Sequence, residues 1–317
     1  MTTFGYTLFS ELNGPRELVA QAEAAEAAGF DSAVISDHFH PWLDSHTDSP
    51  FAWTVLGAVA ARTERIRLAT LVTCPTIRYH PAIIAQAAAT VAVLSGGRFT
   101  LAVGAGENLN EHVVGRGWPP VDIRQERLAE AVEAMRELWQ GGWVTYRGKH
   151  ITVEDARLYT LPDQPPEVLI AGSGPEAMSL AATASDGLVA TEPDAELISA
   201  FARDGGAGKR TLGQVALSYD TDEAKARQHA MRFKFGVSGW KVMSELPNPV
   251  NFEAATSTVR EEDITELVAC GPDPEVHVAA IKEFVDAGFG EVCVVQVGDD
   301  HEGFFRFWED ELRPRLG

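Results

Sequence analysis

Eight short apolar runs alternate with longer helical stretches along this chain, and that alternation narrows the fold more than any other feature. Residues 3–9, 33–35, 66–72, 99–103, 168–171, 187–190, 214–219 and 291–297 read as strands. The first helix opens with Pro15 in its first turn and stops at Gly29. A second runs over 52–62, a third over 81–94, and a fourth over 123–139, where Leu128, Val132, Met135 and Leu138 recur at helical spacing. Strands that alternate with helices predict an α/β protein with a parallel sheet. Eight such units can close on themselves as a (β/α)8 TIM barrel. A doubly wound open sheet is the alternative, but it gathers its site at one switch point, whereas polar motifs here follow several strands. Residues 141–161 read as a hairpin insertion and 220–262 as a helical one. No stretch reads as a linker, so 1–317 is expected to form one domain.

Charge and cysteine usage limit the partners. With 46 acids against 26 bases the net charge is −20. Such a surface disfavours nucleic acid and anionic membranes, both of which need cationic contacts. No apolar stretch reaches the ~18 residues that would span a bilayer, and the N-terminus lacks a basic head followed by an apolar run. Cys74, Cys270 and Cys293 are widely spaced, with no Cys-x-x-Cys pair, so no disulfide framework is expected and a cytoplasmic setting is.

The chemistry gathers where strands end. The second strand runs into Ser36-Asp37-His38-Phe39-His40-Pro41-Trp42. A histidine at a barrel mouth can exchange a proton near neutral pH, and Asp37 can orient it. His38-x-His40 also raises a metal reading, since alternate strand residues share a face. The third and fourth ligands are missing, so no metal is expected. Asp44, His46 and Asp48 read as a polar loop. Glu11 follows the first strand and emerges at the same end. Gly104-Ala105-Gly106-Glu107 follows the fourth. Glu107 can be a proton donor in a partly apolar pocket or a cap for the next helix. The glycines there do not make a dinucleotide fingerprint, because position 109 is leucine. Gly172-Ser173-Gly174, between a strand and a helix start, is either a phosphate cradle or a tight turn. Trp42, Trp53 and Trp240 lie near loops and could floor a planar ligand, while Trp118, Trp139, Trp143 and Trp308 read as packing residues.

Taken together, the stretches 36–42, Cys74-Pro75-Thr76-Ile77-Arg78-Tyr79-His80-Pro81, 104–111 and 171–175 resemble the luciferase-like oxidoreductase superfamily. Within it they are most similar to the branch that uses the deazaflavin coenzyme F420, typified by F420-dependent glucose-6-phosphate dehydrogenases. The likeness runs in order from Gly5 to Arg315. It implies a TIM barrel, a homodimer and hydride transfer between F420 and a small-molecule substrate. An FMN-dependent monooxygenase of the same superfamily is the alternative.

The resemblance also assigns roles. His38 would be the base and Glu107 the acid, with Trp42 shielding the reacting centre. Asp37 and Asn110 would bond the polar edge of the deazaflavin. Thr70, Leu71 and Val72, where the family has a non-proline cis peptide, would buttress its ring, with Cys74 and Gly106 beside it. Gly172, Ser173 and Gly174 would hold its phosphate. Glu11, Trp42 and Lys241 would line the substrate side. The family's sugar-phosphate enzyme holds phosphate with basic side chains after strand six and before strand eight. Here those segments read Thr191-Glu192-Pro193-Asp194 and Glu261-Glu262-Asp263, without a lysine or arginine. A neutral alcohol, sugar or ketone is therefore expected in place of glucose 6-phosphate.

Overall fold

The computed structural model describes residues 2–317. Its eight barrel strands are β1 (Thr3–Leu8), β2 (Ser32–Ile35), β3 (Arg67–Thr70), β4 (Phe99–Val103), β5 (Glu167–Ala171), β6 (Gly187–Ala190), β7 (Arg210–Ser218) and β8 (Glu291–Gln296). All pair in parallel, each with its neighbour in chain order, and β8 returns to β1 to close the barrel. Strands buried on both faces need apolar residues at both phases of their two-residue period. Val34, Ala69, Ala102, Leu169, Val189, Leu212 and Cys293 fill the interior. Their chain neighbours, such as Ile35, Leu68, Leu101 and Ile170, join the larger core under the helices.

The strand limits expected at 72 and 214 both move. β3 stops at Thr70, and the Leu71–Val72 peptide that follows is cis. β7 begins four residues early, because Arg210 to Gly213 pair with β6 on one side, and Leu212 and Gly213 with β8 on the other. Pairing partners hold these polar and glycine positions in the sheet, and a hydropathy pattern does not reveal them. A two-residue strand, Ala269–Cys270, extends the sheet beside Leu217 and Ser218.

The hairpin insertion forms from Val144–Arg147 and Thr152–Ala156, paired antiparallel outside the barrel. Trp143, expected to pack, stands 68% exposed at its base. The insertion between β7 and β8 folds over the barrel mouth, where Phe235, Met243, Phe252 and Ile264 pack with Phe9, Trp42, Leu43 and Leu109. Among the described residues, no helix is long and apolar enough to cross a membrane.

The N-terminal end of the barrel is closed by ions. Arg210 pairs with Glu291 (2.8 Å) and with Glu167, and donates to the Thr100 hydroxyl (2.9 Å). Arg67 reaches Glu291 at 3.4 Å, and the Ser32 hydroxyl donates to its other oxygen. Each of these residues, Thr100 apart, begins a strand, so this network stands at the end opposite the polar motifs.

Candidate active site

Three strand ends converge at the C-terminal mouth. β1 delivers Ser10 and Glu11, β2 delivers residues 36–42, and β4 delivers Gly104 to Glu111. His38 lies between two buried carboxylates. Its Nδ1 is 3.0 Å from Glu11 Oε1 and its Nε2 is 3.7 Å from Glu107 Oε1. The Glu11 contact does not meet hydrogen-bond geometry, and both atoms are left without a hydrogen-bond partner. Hydroxyls of Ser10 (3.3 Å) and Ser36 (3.0 Å) donate to the other oxygen of Glu11 and fix its plane.

Asn110, fully buried, ties the two loops together. Its Nδ2 donates to Glu107 Oε1 (2.6 Å), and its Oδ1 accepts from the backbone N–H groups of Phe39 (2.7 Å) and His40 (2.9 Å). His40 turns its Nδ1 to the carbonyl of Leu109 at 2.9 Å, so the two histidines of the motif face different partners. Among the described residues, no group of three His, Cys, Asp or Glu side chains is placed to hold a metal.

Trp42 walls the mouth beside His38. Its ring meets His38 edge-on at 4.8 Å, stacks on Phe235 at 4.9 Å and 8°, and abuts Phe252 at 5.3 Å. Trp53 and Trp240 do not share this position. Trp53 is buried and donates its Nε1–H to Asp37 (3.1 Å), and Trp240 is exposed. His46, assigned by sequence to a polar loop, is buried with its Nε2 on the Arg232 carbonyl (2.9 Å). Lys241 is exposed on the short helix Trp240–Met243.

A second layer lies beneath. The Asp37 side chain has no exposed surface. Its carboxylate accepts from Trp53, Thr73 (2.7 Å), Tyr79 (2.9 Å) and Arg78 (3.2 Å). Asp37 therefore supports the loop from below rather than opening onto the mouth. Burial opposes the charge on Arg78, but the neighbouring acids, Asp37 first, outweigh it and hold the guanidinium protonated. Glu111 is fully buried and accepts the Arg78 backbone N–H at 2.7 Å. Burial, reinforced by the charges of Glu107 and Asp37, pushes its carboxyl from 4.5 up to about 7 despite Arg78. Burial likewise drives the Cys74 thiol up, so it stays protonated. Arg124 donates to the Gly106 carbonyl (2.9 Å) and lies 3.9 Å over the Trp118 ring. Sequence reading gave no role to Arg78, Tyr79, Thr73 or Glu111. All four lie in or beside the stretches 74–81 and 104–111, and an arginine inside an apolar strand-end segment was the available signal.

Apolar residues lie at the mouth just past β3 and at the end of β5. Leu71, Val72 and Ala171 are half-buried there, above an interior of small and branched side chains. Thr70 and Cys74 are buried beneath, and the Thr70 hydroxyl bonds Ala102 instead of the mouth. Gly106 has φ +91, and a Cβ there would meet Glu111 Cγ at 2.9 Å, so glycine keeps this turn close to the underlying carboxyl. Gly172, Ser173 and Gly174 precede the helix Pro175–Ala184, whose first N–H groups carry no side-chain cap. A Cβ on Gly172 would lie 2.4 Å from Ala177 Cβ, so that loop passes close over the helix start. A half-buried apolar surface near an uncapped helix N-terminus is chemically suited to a flavin-like ring with a phosphate tail.

A closed parallel barrel with a carboxylate-flanked histidine beside a half-buried apolar surface suits an enzyme that binds a planar cofactor and moves protons next to it. The chain belongs to the luciferase-like monooxygenase family, whose model matches residues 2–291. It is 38% identical to the F420-dependent glucose-6-phosphate dehydrogenase of Microbacterium testaceum, over 99% of this chain and 97% of that one. The Amycolatopsis mediterranei protein of the same name is 36% identical, over 100% and 99%. Among solved structures, an F420-dependent secondary alcohol dehydrogenase in complex with an F420-acetone adduct superposes with a TM-score of 0.92 at 31% identity, covering 100% and 99%. The coenzyme F420-dependent tetrahydromethanopterin reductase from Methanopyrus kandleri shares the fold, with a TM-score of 0.80 at 23% identity and coverage of 100% and 99%.

Proposed function

We propose that this F420-dependent oxidoreductase transfers hydride between the deazaflavin and a small neutral secondary alcohol or ketone. The observation that carries the reading is His38 held between Glu11 and Glu107 at the barrel mouth. Bound F420 supplies a two-electron hydride acceptor or donor. The residues supply the protons. As a neutral imidazole, His38 accepts the hydroxyl proton at Nε2, which lies 3.7 Å from Glu107, as hydride leaves the adjacent carbon. Glu107 would give one proton to the deazaflavin ring as it takes up hydride, matching the one that His38 takes from the hydroxyl. Trp42, backed by Phe235 and Phe252, keeps water from the reacting carbon. Leu71 and Val72 back the ring, and Gly172, Ser173 and Gly174 take the phosphate.

Two observations favour an uncharged substrate. The wall beside His38 is aromatic. The segments that carry phosphate-binding bases in the sugar-phosphate dehydrogenases hold exposed Glu192, Asp194, Glu261 and Glu262. Asp194 is also spent as a helix cap on the Glu196 and Leu197 N–H groups. A phosphate dianion would be repelled there. A homodimer and a cytoplasmic setting belong to the same reading.

The test is a fluorescence titration with F420 and FMN, followed by F420 reduction with 2-propanol or glucose 6-phosphate. Tight F420 binding and turnover of 2-propanol alone are expected, and Lys241→Ala should leave the 2-propanol KM unchanged. Tight FMN binding without F420 binding would overturn the cofactor assignment and favour the monooxygenase alternative. Turnover of glucose 6-phosphate would overturn the neutral-substrate reading.

A further inference from the structure

The backbone on either side of Glu107 is pinned by groups that lie outside the barrel strands. On the leading side, the Gly106 carbonyl accepts from Arg124 Nη1 at 2.9 Å. Arg124 stands in the first turns of the helix Val121–Trp139, with its side chain only 4% exposed. On the trailing side, Asn108 is held twice by the insertion between β7 and β8. Its backbone N–H donates to the Ser244 carbonyl (2.9 Å), and its Nδ2 donates to the Glu245 carbonyl (3.0 Å). The Glu245 carboxylate joins the two sides. Its Oε1 accepts from Arg124 Nη2 (3.3 Å) and its Oε2 from Trp118 Nε1 (3.0 Å), and the Arg124 guanidinium lies over the same indole. Two residues before Glu245, Met243 packs in the cluster that contains Trp42, Phe235 and Phe252. One short segment of the insertion therefore backs the aromatic wall and also holds the turn that carries the acid.

We propose that Glu245 is a positioning residue for proton donation: it clips the insertion onto the turn that carries Glu107, so that covering the mouth and setting the acid in place are one event. Glu245 acts through the Gly106 carbonyl and through Asn108, the residues immediately before and after Glu107, and not by touching the reacting atoms. The Glu245 side chain is 56% exposed, and an ion pair open to water adds little to stability. Its worth is geometric. A shift of about 1 Å in a reacting group can cost up to about 100-fold in rate, even when the change lies away from the chemistry. The inference rests on the reading of Glu107 as the proton donor.

The experiment compares the F420-loaded wild type, Glu245→Ala, Glu107→Gln and the double variant by amide hydrogen exchange and by F420 reduction with 2-propanol. Glu245→Ala should speed exchange in both 104–112 and 240–246 by about tenfold, with the melting temperature within about 2 °C of the wild type. Its kcat should fall about tenfold while the 2-propanol KM and the F420 affinity stay put. The double variant decides whether the loss runs through the acid. Once Glu107 is glutamine, Glu245→Ala should cost no further rate. A second tenfold loss in that background, or exchange at 104–112 that stays at the wild-type rate, overturns the proposal. Glu245→Gln, which keeps an acceptor but loses the charge, takes the place of Glu245→Ala if that variant does not fold. If the wild type leaves 2-propanol untouched while exchange rises in both segments, the alcohol reading fails and the clip stands.

Discussion

The two ends of this barrel both gather charge, and they do so in opposite ways. At the N-terminal end, Glu167 and Glu291 meet Arg67 and Arg210, two acids against two bases. At the C-terminal mouth, Glu11, Asp37, Glu107 and Glu111 surround Arg78 and His38. Orphaned polar atoms follow the imbalance. Glu11 Oε1, His38 Nδ1, Arg78 Nε and Glu111 Oε1 are buried without hydrogen-bond partners, whereas no buried side-chain atom of the lower network is, among the described residues. A balanced network holds charge in place and supports the fold. An unbalanced one leaves protons free to move, which is what a hydride-transfer site needs.

Four changes would break or sharpen that contrast. The largest concerns the mouth: His38→Ala should slow F420 reduction by a factor of about 10² to 10⁴, the usual worth of a placed acid or base. F420 affinity, read by fluorescence quenching, should stay within a few-fold. A collapse of affinity together with rate would mean that the histidine serves the fold.

The converse applies below. Arg210→Met leaves Glu291 buried against Arg67 alone, and urea denaturation should show about 3 kcal/mol lost, as expected on removing one partner of a buried pair. Turnover per folded molecule should not change. A rate loss at full stability would erase the division between the ends.

Glu111 links stability to pH. Its carboxyl is raised from 4.5 to about 7 in the folded chain, so the folded state binds the extra proton between those values. Stability from this group is therefore complete below 4.5, declines as pH rises, and is flat above about 7. Glu111→Gln should remove that slope, gaining on the wild type by roughly 1–3 kcal/mol between pH 5 and pH 8. Parallel denaturation curves at both pH values would show that the group does not titrate in this range.

The smallest effect is expected away from both ends. Trp143→Ser, on the hairpin, should alter stability by no more than about 0.5 kcal/mol and leave F420 binding alone.

Much of this was legible in advance, for a geometric reason. In a parallel barrel every strand leaves the sheet at the same end, so a polar segment after an apolar run reaches the mouth whatever the packing. That alone brought Glu11, His38 and Glu107 together from positions far apart in the chain. The pairing of Asp37 with His38 was not legible in the same way. Adjacent strand residues point to opposite faces, so Asp37 drops beneath the loop onto Trp53, Thr73 and Arg78 while His38 rises into the mouth.

The sequence by itself determined the eightfold alternation, the two insertions, the end of the barrel that carries the chemistry and the residues that reach it. These follow from local periodicity and chain direction, which need no knowledge of contacts. Only the tertiary structure decided which carboxylate faces which nitrogen of His38, that Asn110 joins the two loops, that Trp53 is buried and Trp143 exposed, and that one guanidinium serves Asp37 and Glu111. Those outcomes depend on distances across strands whose register and helix packing are set by the whole barrel closing at once, and no local pattern encodes them.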